Sequence, residues 1–185
     1  MKFDTDAGLY TPAPDDELEQ RRRLLAELGL GEADPEFDQY AADLARAAGT
    51  PYAMVNLITD EQVFVGLHCP AEDSGGDAPP VGRTMSRDHG YCPDVLDRRA
   101  PLVLPDVLAY PRFAGNAVVD QIGIRTYAGA PLIHQPTGTV LGTVCVVGPT
   151  PQPLSTGNRT LDVIKEHRDA VMARVYERAG RTPRN

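Results

Sequence analysis

Residues 123–147 read GIRTYAGAPLIHQPTGTVLGTVCVV and contain two apolar runs separated by a short polar segment. Residues 123–133 and 139–147 each have the length and composition of a strand, and HQPTG between them has the composition of a turn. A connection this short joins only antiparallel strands, because a parallel pair needs a crossover of a dozen or more residues. The segment therefore predicts a hairpin within an antiparallel sheet.

Upstream of this hairpin the sequence predicts one short strand between two short helices. Residues 101–107, PLVLPDV, carry a proline at each end of the apolar run, which favours an edge strand. Residues 88–98, DHGYCPDVLDR, predict a helix with Pro93 tolerated in its first turn. Residues 110–121 predict a second short helix after a Pro-Arg turn.

A second hairpin is predicted nearer the N-terminus, followed by a long loop. Residues 52–59 are mostly apolar at both odd and even positions, which is typical of a strand covered on both faces. Residues 62–68 predict its antiparallel partner. Residues 69–83 are rich in Gly, Pro and Asp, and loops of this length inside compact domains are usually functional or disordered.

Amphipathic helices are predicted at both ends of the chain. The first, within residues 15–33, has a leucine stripe that packs either on the domain or on a second subunit. The stripe consists of Leu18, Leu24, Leu25 and Leu28. A second helix should begin after an Asp34 N-cap, and a third spans residues 155–178. This element order predicts an α+β fold, with the terminal helices on one sheet face and the short helices and loops on the other.

Length and charge limit the class of protein. A length of 185 residues predicts one domain, and the composition of the ends predicts a mobile tail at residues 1–14 and a short tail at 179–185. A net charge of −8 argues against nucleic-acid binding, which depends on clustered Lys and Arg. Neither a membrane span nor a signal peptide is visible, so the predicted location is the cytoplasm. Three cysteines in a reducing compartment do not predict a disulfide framework.

The segments PLVLPDVLAYPRFAGN, GIRTYAGAPL and VLGTVCVVG resemble the GAF domain family, of the single-domain bacterial type, over residues 34–178. The resemblance implies a six-stranded antiparallel sheet with terminal helices on one face and a ligand pocket on the other. It also implies binding of small molecules such as cyclic nucleotides, bilins, haem or 2-oxoacids, or a role as a dimerisation module. Very few members are enzymes, and the resemblance identifies no cofactor for this chain.

Cys92, near a predicted helix N-terminus and one turn from His89, is the strongest candidate for chemistry. The positive end of a helix lowers a thiol pKa, which favours a redox sensor or a nucleophile. The alternative is that Cys92 is a small buried residue of the helix. Free methionine-(R)-sulfoxide reductases are GAF enzymes with clustered loop cysteines, and this chain departs from that pattern because Cys145 lies in a predicted core strand.

A metal site is an alternative at the rim of the predicted pocket. His68, Cys69, His89 and Cys92 supply imidazole and thiol groups of the kind that bind zinc or a softer metal. Their spacing matches no known metal signature, and such residues are more often ordinary packing or surface residues. A haem with His89 or Cys92 as axial ligand is a variant of the same idea.

Other candidates for ligand contact surround the same predicted pocket. Arg83 at the loop exit favours an anionic ligand, with a surface ion pair as the alternative. Asp106 and Arg125 predict either a structural ion pair or a ligand contact. Three aromatic residues complete the predicted pocket wall, and these are Tyr91, Phe113 and Tyr127.

These observations predict a small-molecule-binding regulatory domain that acts through a partner protein or as a homodimer. Thiol chemistry at Cys92 with His89, as a redox sensor or a reductase, is the alternative from a different class. A structural dimeric adaptor with an occluded pocket is the third possibility.

Overall fold

The computed structural model describes residues 2–4, 9–11, 15–70 and 81–181. Two short strands near the N-terminus, β1 (Lys2–Asp4) and β2 (Leu9–Thr11), pair antiparallel where the sequence predicts a tail. The main sheet has six strands. They are β3 (Tyr52–Ile58), β4 (Glu61–His68), β5 (Thr84–Ser86), β6 (Leu102–Leu104), β7 (Thr126–Ile133) and β8 (Val140–Gly148).

Six helices accompany the sheet in the described part of the chain. They are α1 (Leu18–Glu27), α2 (Pro35–Ala48), α3 (Cys92–Arg98), α4 (Pro111–Ala114), α5 (Ala117–Ile122) and α6 (Gly157–Arg181). The start of α2 is fixed as predicted, because the Asp34 side chain accepts a hydrogen bond from the Glu36 amide and Pro35 occupies the first turn.

The sheet is antiparallel throughout, in the order β5-β4-β3-β8-β7-β6. The predicted hairpin of residues 123–147 is confirmed as β7 and β8, and the proline-flanked strand β6 lies at the edge. The α+β fold with six antiparallel strands is therefore confirmed. Every residue of β3 is buried, because helices and short segments cover both faces of the sheet.

The terminal helices cover one face, which we call the packed face. Leu24 and Leu25 of α1 lie in its core with Leu44 of α2 and Ile164 of α6, so part of the leucine stripe packs within the chain. The approach of α2 to the sheet is close. A Cβ at Gly66 would come within 2.3 Å of the Phe37 carbonyl oxygen, so glycine is required there.

The short helices α3 and α5 cover the opposite face, which we call the cavity face. Its core combines aromatic, aliphatic and sulfur-containing side chains from β3, β4, β7 and β8 with residues of α3 and α5. Among the described residues, no helix is both long and apolar enough to cross a membrane.

Several element boundaries differ from the sequence prediction. The helix predicted over 88–98 begins only at Cys92, so His89 precedes it. The helix predicted over 110–121 is divided into α4 and α5 with Gly115 and Asn116 between them. Strand β5 was not predicted, and most of the predicted loop, residues 71–80, lies outside the described residues. Helix α6 continues to Arg181, beyond the predicted end at 178.

Candidate functional site

A cavity lies between the cavity face of the sheet and the segments that carry α3 and α5. Its free volume is about 60 Å³, several times what one water molecule needs. Its wall is almost entirely aromatic, aliphatic or sulfur-containing. The lining residues are Tyr52, Met54, Gln62, Phe64, Val81, Met85, Gly90, Tyr91, Cys92, Val118, Ile122, Ile124, Tyr127, Cys145 and Val147.

Strand alternation explains which sheet residues reach the cavity. Successive side chains of a strand point to opposite faces, so Tyr52 and Met54 face the cavity while Ala53 and Val55 belong to the packed core. Cys145 lies directly opposite Met54 across the β3–β8 pair. The central strands therefore form a continuous cavity floor.

A row of polar side chains lies at one end of this floor. Asn56 and Thr143 face each other in register on β3 and β8, and both are fully buried. The Asn56 amide donates to Gln62 Oε1 at 2.8 Å, and Gln62 Nε2 donates to the carbonyl oxygens of Ser86 and His89. Gln62 thus holds the segment before α3 against the sheet.

A second polar side chain fixes the other side of the wall. Asn116, the N-cap of α5, accepts a hydrogen bond from the Gly90 amide at 3.0 Å and donates to the Gly90 carbonyl at 2.7 Å. Gly90 has φ of +76°, a conformation that favours glycine. The segment preceding α3 is therefore tied both to the sheet and to α5.

Two thiols meet in the cavity wall. The Cys92 Sγ lies 3.6 Å from the Cys145 Sγ, and both residues are buried. Cys145 Sγ lies 3.9 Å from Met54 Sδ, and the Tyr127 hydroxyl donates to Cys92 Sγ at 3.5 Å. The sequence placed Cys92 at the pocket rim and assigned Cys145 only to the core, whereas the structure brings the two together.

The surroundings of Cys92 change its acidity. The Cys145 thiol, followed by the side chains of Thr143, Tyr127 and Asn56, lowers the pKa of the Cys92 thiol to about 6 against the opposing effect of burial. The contact with Cys92, together with burial, raises the pKa of Cys145 well above its ordinary value. The prediction that His89 would activate Cys92 is not supported, because Cys145 and these neighbours act on the sulfur instead.

The predicted aromatic residues divide into a lining pair and a supporting residue. Tyr91 and Tyr127 both line the cavity with ring centroids 5.1 Å apart. Burial raises the pKa of Tyr91 to about 12, and its hydroxyl donates to the Phe113 carbonyl oxygen at 3.1 Å. The Phe113 ring packs edge-on against Tyr91 from outside the lining at 5.8 Å.

Arg83 and Arg125, which were expected near the pocket, and also Arg87 bind carboxylates of this chain. Arg83 pairs with Asp38 of α2 at 2.8 Å, and Arg87 pairs with Asp15. Arg125 pairs with Asp106 at 2.9 Å, which makes that pair the structural contact of the two alternatives. None of these three arginines lines the cavity. For Arg83, the contact with Asp38 matches the ion-pair alternative rather than a ligand contact.

The four residues proposed as an alternative metal site are not brought together. Within the described residues, no group of three or more His, Cys, Asp and Glu side chains is arranged to hold a metal ion. Cys69 is half-buried at the end of β4, and burial raises the pKa of its thiol. Neither His68 nor His89 lines the cavity, so His68, Cys69, His89 and Cys92 do not form a metal centre.

A family model for the GAF domain matches residues 32–163, which is more than half of the chain. The chain belongs to the GAF domain family. The match begins just before α2 and includes all six strands of the main sheet and the cavity. No curated protein matches the chain.

Solved structures confirm the GAF fold. A free methionine-R-sulfoxide reductase from Neisseria meningitidis, in complex with its substrate, is 16% identical with a TM-score of 0.58, covering 93% of this chain and 97% of that one. The GAF domain of a phosphoenolpyruvate-protein phosphotransferase from Acinetobacter is 14% identical with a TM-score of 0.57, covering 94% and 100%. The chromophore-binding domain of a bacteriophytochrome from R. palustris is 10% identical with a TM-score of 0.57, covering 91% and 64%.

Sequence reasoning missed the polar row of this GAF domain. Asn56 in YAMVNLI and Thr143 in VLGTVCVVG are polar residues inside apolar strands, and that contrast was the available signal. Gln62 gave no such signal, because it follows the polar Glu61 at the start of β4.

Proposed function

We propose that this GAF domain is a sensory module that binds a small, largely apolar molecule in the cavity and passes its presence to another protein surface. The observation that carries the proposal is the apolar cavity, whose wall is built by five strands and by the segments around α3 and α5. A mostly apolar wall with a few placed polar groups is typical of ligand sites. Because a cavity that binds benzene measures about 150 Å³ and this one only about 60 Å³, we propose that the segment before α3 moves outward to admit the ligand. We expect it to act in the cytoplasm.

The lining indicates the chemistry of the ligand. Burying apolar ligand surface contributes about 25 cal/mol per Å². Gln62 is an uncharged polar residue of the wall, and the nearby arginines already bind carboxylates. We therefore propose a neutral ligand with an aromatic or aliphatic body, in place of the anionic ligand that the sequence favoured.

The same wall offers a path for the signal. The segment before α3 is held by Gln62 and Asn116, and both Gly90 and Tyr91 of that segment line the cavity. A ligand that contacts this segment favours the conformation of the segment that it binds more tightly, and the size of the shift depends on the difference between the two affinities. We propose that a partner protein or a second copy of this chain recognises the shifted surface.

Relatives of this fold support small-molecule recognition. One was solved as a reductase in complex with its substrate, and another is a chromophore-binding domain. The thiol pair in the wall makes thiol chemistry a second candidate, but its residues differ from the Cys92 and His89 pair that the sequence suggested.

Thermal-shift measurements with indole, p-cresol and 1-hexanol test the proposal. A ligand at 100 times its Kd adds about 2.7 kcal/mol, which raises the Tm of a chain of this size by roughly 5–10 °C. Val118→Phe places a larger side chain in the cavity and should abolish the shift. Val163→Phe on α6, which packs against the other core, is the matched control and should retain it.

Two outcomes contradict the proposal. The first is that none of the three compounds raises the Tm of the wild-type domain. The second is a shift of equal size in Val118→Phe, which would place the binding elsewhere. Either result would favour the structural adaptor with an occluded pocket.

A further inference from the structure

Two of the three cysteines form a contact that the proposed ligand does not require. Cys92, at the start of α3, and Cys145, in the central strand β8, are separated by 53 positions in the sequence, yet their sulfurs are 3.6 Å apart. Cys92 is 6% exposed and Cys145 is 2% exposed. Both line the cavity, so a small solute that enters it reaches both sulfurs.

The polar row makes this site unlike an ordinary apolar core. Within the described part of the chain, Asn56 Oδ1 and Thr143 Oγ1 are buried without a hydrogen-bond partner. The side chains of Thr143, Tyr127 and Asn56 lower the pKa of the Cys92 thiol, and the Tyr127 hydroxyl donates a hydrogen bond to its Sγ. Leaving buried polar atoms unpaired costs free energy. Of the two unpaired oxygens, Asn56 Oδ1 can only accept, whereas the Thr143 hydroxyl can also donate, and a donor beside a sulfur stabilises the thiolate.

We propose that Cys92 and Cys145 are a redox-active dithiol that hydrogen peroxide converts to a disulfide inside the cavity. The Cys92 thiolate attacks one peroxide oxygen, the O–O bond breaks, and Cys92 becomes a sulfenic acid. The hydroxide that leaves takes up the proton that the Cys92 thiol lost on ionising and becomes the first water molecule. The Cys145 sulfur then attacks the Cys92 sulfur, the S–O bond breaks, and the Cys145 thiol proton combines with the departing hydroxide to form water. Overall, two thiols and one peroxide give one disulfide and two water molecules.

The geometry allows this bond with a small movement. A disulfide has an S–S distance of about 2.05 Å, so the sulfurs must approach by roughly 1.5 Å. The bond would tie the first turn of α3 to β8. Since both sulfurs belong to the cavity wall, oxidation would change the space offered to a ligand. Two equivalents of a cellular thiol would restore the dithiol by thiol–disulfide exchange, with their own sulfurs becoming a disulfide.

The experiment uses the full chain, folded and free of reductant, exposed to hydrogen peroxide and then alkylated after denaturation. The free thiols should fall from three to one. Trypsin separates the cysteines into peptides 47–83, 88–98 and 126–159, so mass spectrometry identifies the bond directly. The expected product joins 88–98 to 126–159. Dithiothreitol should return all three thiols.

Variants and stability provide the controls. Cys69→Ser is matched in chemistry and should still form the bond, whereas Cys92→Ser and Cys145→Ala should not. The oxidised wild type should have a Tm roughly 5–15 °C higher than the reduced form, because the bond closes a long loop. This readout needs no variant, so a failure of Cys145→Ala to fold does not spoil the test.

Three results overturn the proposal. They are retention of all three thiols, a bond that joins peptide 47–83 to either of the others, and a sulfinic acid at Cys92 without any bond. Because the readout is a covalent product, it fails or succeeds independently of ligand binding to the cavity.

Discussion

The two faces of one sheet are filled in different ways. On the packed face, aliphatic residues from β3 and β8 meet α2 and α6, and the space beside Phe37 and Val171 is about 10 Å³, room for no more than one water molecule. A more open depression of about 240 Å³ lies beside Leu25 and Leu57 of the same face. On the cavity face, the alternate residues of the same strands surround about 60 Å³ and include two thiols and a polar row. The two faces therefore differ most in the chemistry of the side chains that surround their spaces.

This difference arises from the covering elements. Helix α6 runs over Gly157–Arg181 and offers a long apolar stripe, whereas α3 spans only Cys92–Arg98 and α5 only Ala117–Ile122. Two short helices are too small to cover this face of the sheet by themselves, so the segments that connect them also pack against it. Their attachments, such as the pair of hydrogen bonds between Asn116 and Gly90, then determine the shape of the space.

Matched truncations on the two faces should give the largest difference in stability. Ile164 lies in the packed core at 1% exposure, and Ile124 lines the cavity at 3%. We expect Ile164→Ala to lower the free energy of unfolding by about 4 kcal/mol and Ile124→Ala by about 2 kcal/mol. A side chain that lines a cavity already lacks partner atoms on one side. Urea denaturation measures both values, and equal losses would contradict the comparison.

Loss of the buried ion pair between Arg21 and Asp15 should give the next largest decrease in the free energy of unfolding. Arg21 is fully buried; it donates to the Val140 carbonyl oxygen and pairs with Asp15, which also pairs with Arg87. Asp15→Asn removes the carboxylate and leaves a buried guanidinium without its main partner. We expect a loss of about 3 kcal/mol at pH 7.

The pH dependence identifies the cause of that loss. Burial disfavours the Asp15 carboxylate, but Arg21 and Arg87 outweigh it and lower the pKa of Asp15. An acid with a lowered folded-state pKa stabilises the fold above its unfolded pKa of about 3.9 and loses that effect as the pH falls through the folded value. The difference in the free energy of unfolding between wild type and Asp15→Asn should therefore disappear as the pH falls below 4. A gap that stays constant from pH 7 to pH 3 would rule out the carboxylate. Asp60→Asn, at an exposed pair with Arg22, should leave stability unchanged.

Asp94, a buried residue of α3, should show the smallest effect and the opposite sign. Burial raises its pKa despite the pair with Arg112 at 2.7 Å, and its Oδ2 is buried without a partner. An acid with a raised folded-state pKa costs stability at neutral pH and regains it as the pH falls. Asp94→Asn should therefore change stability by less than about 1 kcal/mol at pH 7, and any change should be a gain. A loss above 2 kcal/mol in urea denaturation would show that the Arg112 pair dominates.

Local patterns were sufficient for the α+β class because each depends on neighbours in the sequence, whereas the six-stranded sheet was implied by the family resemblance. The apolar runs in residues 52–59 and 139–147, the Asp34 cap and the prolines around β6 all report on local geometry, and each is confirmed. The division of α4 from α5 at Gly115 and Asn116 was missed, although both residues are visible in the sequence.

The site could not be predicted in the same way, because its contacts join distant segments. The Arg83 and Asp38 pair spans 45 positions, and the Cys92 and Cys145 contact spans 53. The strand pattern correctly placed Cys145 in the core. That Cys145 faces Cys92 follows from two tertiary features. One is the register that places Cys145 opposite Met54, and the other is the packing of α3 against β8. Burial of a residue in a strand follows from periodicity, but its partner follows from tertiary packing.

Methyl NMR of ¹³C-methyl methionine tests whether a small apolar molecule binds on the cavity face alone, because three of the four methionines report on the two faces. Met54 and Met85 line the cavity, and Met172 lies in the packed core. During titration with indole, we expect saturable shifts of the Met54 and Met85 methyl signals, no shift of the Met172 signal, and no response in Val118→Phe. Unmoved Met54 and Met85 signals at millimolar indole, or an equal shift at Met172, would contradict this expectation.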